Sequence, residues 1–338
     1  MMSYSHTAKK ITLLAASIVL LFPALANACA SCGCTLSSDW DGLGASGKPG
    51  FKIDLRYDYL NQDQLRSGTG TISPVAASQI VTNGDAQEVE KYTKNHYLTV
   101  GLDYSANANW GINLQLPYIG RKHSTLGTAS DGVTPGEDGG QYDSKTSTIG
   151  DVKVMGRYQG FSDEHQFGIL FGLKLPTGSH TETGISTDAS APGAAVIDRG
   201  LQPGTGTSDA IFGAYFSDSL NAKWDYFSQV IVQTALNSKD GYKPGNGINL
   251  NAGLRYTGFA EIKPLLQLNA KYVQHDTGIN ADTVSTGGTL AYLSPGAVWA
   301  VNENLSIYGF VQIPLYQNVH GVQLTPRYTA SLGAKLAF

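Results

Sequence analysis

From Phe51 the chain alternates with a period of two residues, and this pattern restricts the fold more than any other feature. Phe51, Ile53, Leu55, Tyr57 and Tyr59 are apolar or aromatic, with Lys52, Asp54, Arg56 and Asp58 between them. A period of two sends alternate side chains to opposite faces of a β-strand. Four successive charges on one face exclude a dry core there. They suit a hydrated interior, with the apolar face turned to lipid. The pattern recurs through Leu98–Tyr104, Trp110–Tyr118, Val152–Tyr158, Phe167–Leu175, Ile248–Tyr256 and Ile262–Tyr272. Ala210–Phe216 and Trp224–Thr234 are weaker stretches, Leu290–Ala300 and Leu305–Leu315 continue the series, and Tyr328–Phe338 closes it. The expected fold is all-β, a single transmembrane antiparallel β-barrel of about twelve strands, each near the 9–11 residues that a tilted membrane strand needs.

The connections support this reading. Short ones are expected at Ser105–Asn109, Gly160–Glu164, Ser217–Lys223, Thr257–Glu261 and Val301–Asn304. Long ones are expected at Asn61–Thr93, Lys122–Ser147, Thr177–Thr207, Asn237–Gly245, His275–Thr286 and Tyr316–Val322. Short and long alternate, as short periplasmic turns and long extracellular loops do in such barrels. Tyr104, Trp110, Tyr158, Trp224 and Tyr256 flank the short turns, while Tyr59, Tyr118 and Tyr272 sit near the opposite rim. Two belts of amphipathic rings are expected at the two membrane interfaces.

Composition agrees. Tyr occurs 18 times against 3 Met, Gly 40 times, and charged residues form only 15% of the 338, below the ~25% of soluble domains. A mean hydropathy of -0.14 is too low for a bundle of membrane helices, but a barrel hides its polar half in the lumen. A net charge of -4 gives no argument for a nucleic-acid partner.

Residues 1–28 read as a signal peptide: Lys9 and Lys10 precede an apolar run from Ile11 to Leu21, and Ala26-Asn27-Ala28 forms a small-residue cleavage site. Export to the cell outer membrane is the expected localisation. Residues 29–50 form a Cys-bearing segment, periplasmic or plugging the lumen, and 51–338 the barrel. Cys29, Cys32 and Cys34 are all the cysteines of the chain. A disulfide suits an oxidising compartment, and lipidation of Cys29 is a further option. Clustered thiolates also select soft metal ions such as Cu(I) or zinc. The terminal aromatic Phe338, after an alternating strand, resembles the signal read by barrel-assembly machinery.

Three motifs carry a family resemblance. They are Ile149-Gly150-Asp151-Val152, Gly172-Leu173-Lys174-Leu175-Pro176-Thr177-Gly178 and Leu201-Gln202-Pro203-Gly204-Thr205-Gly206-Thr207-Ser208-Asp209. Over roughly residues 148–236 the chain resembles the outer-membrane family of meta-pathway phenol-degradation transporters. The resemblance implies a channel for aromatic or other small hydrophobic solutes. Physically, Pro176 fits a strand end that has lost its ladder partner, and Gly178, Gly204 and Gly206 fit tight turns at the outer rim.

The alternation assigns Lys52, Asp54, Arg56, Asp58, Asp151, Lys153 and Arg157 to the lumen. It assigns Lys174, Arg255, Lys263, Lys271, Arg327 and Lys335 there too, with Asp103, Asp209 and Asp225 as further acids. Cations outnumber acids, so an open pore is expected to favour anions; charges paired across a narrow barrel would instead plug it. His123, His180, His275 and His320 fall in the expected long loops. No Gly-x-Ser-x-Gly elbow occurs and His96 has no evident Ser partner, so no enzyme is expected. The leading expectation is passive passage of small solutes, with membrane lipid, the assembly machinery and the solute as partners. A thiol-based metal-binding or redox-linked outer-membrane protein, or an adhesive loop surface, are the alternatives.

Overall fold

The computed structural model describes residues 49–82, 85–86, 89–128, 135–187 and 192–338. The leader and Cys29, Cys32 and Cys34 lie outside the described residues. In chain order the strands are β1 (Gly50–Gly68), the two-residue pieces β2 (Gly70–Thr71), β3 (Val81–Thr82) and β4 (Asp85–Ala86), β5 (Val89–Ser105), β6 (Trp110–Thr128) and β7 (Pro135–Ile149). Then come β8 (Val152–Tyr158), β9 (Phe167–Leu175), β10 (Thr183–Ser186), β11 (Gly193–Val196), β12 (Asp209–Asn221), β13 (Trp224–Ala235), β14 (Gly247–Tyr256), β15 (Ile262–Val273), β16 (Gly288–Ala300) and β17 (Leu305–Ala337). One five-residue helix, α1 (Pro74–Ser78), is held at its start by Ser73, whose hydroxyl accepts the Ala76 N–H at 3.2 Å.

The sheet is a closed antiparallel barrel. Its order runs β7-β6-β5-β1-β17-β16-β15-β14-β13-β12-β9-β8, and β8 returns to pair with β6. β7 and β8 are one stave broken at Gly150–Asp151: β6 pairs with β7 above the break and with β8 below it. Counting that stave once, eleven strand elements form the wall, with β10 and β11 appended outside it. Because every pairing is antiparallel, the ring needs an even number of passes. β17, 33 residues long, supplies the twelfth. Its first part pairs with β16 and its second with β1, and both registers end on Val319. The chain folds back at Gly321, whose φ of +56° only glycine adopts readily. The expected long connection at Tyr316–Val322 is therefore a tight hairpin.

The short turns have a local cause. Asn107 accepts the N–H groups of Asn109 and Trp110, each at 2.9 Å, and Asn302 accepts those of Asn304 and Leu305 at 2.9 and 2.8 Å. Asn221 accepts Lys223 N–H at 2.9 Å. An asparagine that bonds backbone two residues on makes its own turn. These turns carry a ring of aromatics in tilted and edge-on contact, including Phe51–Tyr104 at 4.6 Å, Trp110–Tyr158 at 4.6 Å and Trp224–Tyr256 at 5.0 Å. Above them, outward residues such as Ile53, Leu55, Ile112, Leu250, Leu266 and Leu332 are exposed all round the wall. No helix is long and apolar enough to cross a membrane among the described residues. The strands themselves form the apolar band.

At the other end, three of the expected long loops, Asn61–Thr93, Lys122–Ser147 and Tyr316–Val322, are largely strand. β1 has 19 residues; at about 3.3 Å each they reach roughly 60 Å, well beyond a bilayer core. β5, β6 and β7 rise with it. Above the membrane-spanning part the inner face of this wall turns apolar. Leu65, Val89, Val322 and Leu324 pack with Ala77 of α1 into a small core. His123, expected in a loop, is buried in β6 and meets Thr93 Oγ1 at 2.7 Å. His275 does lie in a connection, and His320 lies in β17 beside the fold-back at Gly321; their rings are stacked 4.2 Å apart. Burial, and then His320 itself, hold the His275 imidazole below its usual range.

Candidate solute pathway in the barrel lumen

The interior of the barrel is partly filled. Near the short turns Leu265, Val298, Tyr308 and Phe310 form an apolar cluster on one side. Across β13 to β16 runs an uncharged ladder. Asn269 donates to Asn251 at 2.7 Å, and Asn251 donates to Gln229 at 3.2 Å. A cavity of about 370 Å³ remains open, lined chiefly by β1, β5, β6, β8 and β9 on one side and by β12, β13 and β14 on the other.

Of the sixteen charged residues that alternation sends to the lumen, twelve line this cavity: Lys52, Asp54, Arg56, Asp58, Asp103, Asp151, Lys153, Arg157, Lys174, Asp209, Lys271 and Lys335. Arg255 instead pairs with Asp225 at 3.0 Å and does not line it. Lys263 lies at the start of β15 opposite Val298, also off the lining. Arg327 is exposed and pairs with Asp63 at 3.2 Å. The reason is a bulge: Leu60 faces Thr329 but Gln62 faces Pro326, so β17 has an extra residue there and the alternation slips.

Charges on the β1 side are matched locally. Arg56 meets Asp58 at 2.9 Å and Arg157 meets Asp103 at 3.7 Å. Asp54 accepts the Tyr308 hydroxyl at 2.9 Å. Including two residues the alternation did not assign, Arg121 and Arg199, the lining holds nine basic and five acidic side chains. Leu60, Ile119, Met155, Leu170, Ile211 and Ile231 line the same space.

The upper boundary of the cavity is a loop folded inward, and the three sequence motifs build it. The Lys174 ammonium donates to Asp151 at 2.8 Å and to the Thr207 carbonyl at 2.9 Å, contacts Thr205 Oγ1, and lies 3.3 Å from Asp209. Asp151 accepts the backbone N–H groups of Gly178 and Thr205, each at 3.0 Å. Asp209 accepts the Thr207 hydroxyl at 2.8 Å and the Gln233 amide at 2.6 Å. All three charged groups are buried. This knot pins residues 201–207 across the broken stave.

Glycine permits the crossing. A Cβ on Gly178 would lie 2.8 Å from the Gly204 Cα and 2.9 Å from the Gly150 carbonyl carbon. Gly178 and Gly204 therefore serve close backbone approach rather than the tight turns expected of them; Gly206, with φ +72°, does turn.

Two arginines complete the constriction. Arg121 donates to Asn95 at 2.6 Å and to the Leu201 carbonyl, reaching the loop from β6. Arg199 donates to the carbonyls of His180 at 3.0 Å and Thr205 at 2.8 Å, and its guanidinium lies 5.0 Å from the Tyr242 ring centre. Tyr242 in turn donates to Asp276 at 2.8 Å. Arg121 was legible: Pro117, Ile119 and Arg121 carry the inward phase of β6 past Tyr118, where the expected strand ends, up to the expected loop at Lys122. Arg199 follows no alternation and carries no such signal. Among the described residues no group of three or more His, Cys, Asp or Glu could hold a metal ion.

A closed barrel with an apolar outer band and a polar, constricted lumen has the architecture of an outer-membrane β-barrel of the channel type. An outer-membrane channel from Pseudomonas putida F1 shares the fold, with a TM-score of 0.61 at 12% identity over 90% of this chain and 100% of that one. The monoaromatic hydrocarbon channel CymD superposes more loosely, at 0.46 and 10% identity over 86% of this chain and 89% of its own. The toluene transporter TbuX of Ralstonia pickettii gives 0.46 at 10% identity over 86% and 90%. No family profile matches the chain, and no curated protein matches it in sequence.

Proposed function

We propose that the protein is an exported outer-membrane channel, inserted by the barrel-assembly machinery, that passes small solutes past the inward-folded loop. The observation that carries this reading is the lumen cavity itself, with its surplus of basic over acidic groups beside apolar side chains. Such a lining favours anions over cations, and its apolar part suits solutes with an aromatic or hydrophobic body. The motif resemblance to phenol-degradation transporters agrees with the hydrophobic part of this reading.

Single-channel conductance in a planar bilayer tests it. The lining carries nine basic and five acidic groups, a formal surplus of +4. Lys153→Gln with Lys271→Gln lowers that surplus to +2. The wild type is expected to pass chloride faster than potassium, and the double variant to lose most of that preference. A folded protein that leaves the bilayer silent would defeat the channel reading.

A further inference from the structure

The outer wall carries a row of like charges that the lumen does not explain. Lys94 on β5 stands opposite Lys122 on β6, and Lys122 stands opposite Lys145 on β7. All three are exposed and point outward. Like charges directly opposite one another across strands repel, and two such oppositions in one row call for a counter-ion. Neither of the nearby carboxylates forms an ion pair with the row. Asp63 pairs with Arg327 at 3.2 Å, and Asp143 accepts the Gln141 amide at 2.8 Å. Lys94 reaches only a ring, lying 4.9 Å from the Tyr92 centre.

The position of the row points to the ligand. One outward step lower, about 6–7 Å along the strands, lies the row Tyr59–His96–Gly120–Ser147. Below that lies Tyr57–Leu98–Tyr118–Ile149, all exposed. These rows hold polar tips over apolar bodies. His96 Nδ1 meets the Tyr57 hydroxyl at 2.7 Å, and the Tyr118 hydroxyl meets Ser147 Oγ at 3.0 Å. Such rings mark the membrane–water interface. Lysines just beyond it lay their stems on the aromatic belt and their ammonium groups at headgroup height. Neighbouring strands are about 4.8 Å apart, so the three lysines stand side by side within the span of one large headgroup.

We propose that Lys94, Lys122 and Lys145 form a binding site on the outer wall of the barrel for the phosphorylated headgroup of a membrane lipid. The site rests on the reading of the barrel as a membrane protein. A basic residue near an anionic membrane surface is worth about a factor of five in affinity, so the three together give on the order of a hundredfold.

The test uses the protein in phosphatidylcholine vesicles doped with lipid A, or with lipid A stripped of its phosphates, and measures retained glycolipid by mass spectrometry. The wild type is expected to keep the phosphorylated form in strong preference, and Lys94→Gln/Lys122→Gln/Lys145→Gln to keep both forms equally. Lys122→Gln alone removes both oppositions. It is expected to raise the melting temperature in neutral detergent and to reduce the gain that lipid A gives. A triple variant that retains the phosphorylated lipid as the wild type does would overturn the site. So would an equal thermal gain from millimolar inorganic phosphate, which would make the ligand a free anion. Heat-modifiable mobility of each variant in plain phosphatidylcholine reports insertion separately, so failure of the membrane reading is distinguishable from failure of the site.

Discussion

Lys174→Met is expected to destabilise the folded barrel by about 3–5 kcal/mol, the usual cost of leaving a buried partner charge uncompensated. Lys174 is the single cation against two buried carboxylates, 2.8 Å from Asp151 and 3.3 Å from Asp209. Without it the two acids face each other across the base of the inward loop, and the cheapest relief is to release residues 201–207 from the wall. Conductance should therefore rise while the unfolding midpoint in urea falls. Adding Asp151→Asn and Asp209→Asn to Lys174→Met removes the stranded charges and should recover much of the stability, because neutral groups can keep part of the hydrogen bonding. If Lys174→Met alone leaves both the urea midpoint and the conductance unchanged, the knot does not hold the constriction.

Gly204→Ala should act at the same place by sterics alone. Its Cβ would fall 2.6 Å from the Gly178 Cα, with backbone rather than a flexible side chain in the way. Overpacking of this kind costs about 1–3 kcal/mol. The loop must lift or the broken stave must shift, so the variant should open the constriction with no change in lumen charge. Conductance is expected to rise with anion preference retained, which separates it from the lysine variants of the lumen. Gly101→Ala, whose nearest neighbour would be Asp54 Cβ at an ordinary 3.4 Å, is the control and should change little. Equal behaviour of the two variants would show that the crossing at Gly204 is not tight in solution.

The sequence by itself determined the fold class and much of the inner and outer faces. Strict alternation is a local property, and a strand has only two faces, so Lys52, Arg56 and Lys153 could be placed without knowing their neighbours. The Asn residues at 107, 221 and 302 likewise shape their own turns from within a few residues. The length of β1, β5, β6 and β7 beyond the membrane was less legible. Their inner face changes there from polar to apolar, to pack beneath α1, and the pattern then resembles neither a membrane strand nor a loop.

Only the tertiary structure decided what depends on register and closure. Arg327 left the inner face because one extra residue in β17 slipped the phase. The row Lys94–Lys122–Lys145 exists only because three strands pair in one particular register, which no single strand encodes. The motifs around Asp151, Lys174 and Asp209 are far apart in sequence. Their purpose as one buried knot follows from the break at Gly150–Asp151, where the wall bends and lets a loop enter. Alternation reports which face a side chain takes; closing the ring decides what it meets there.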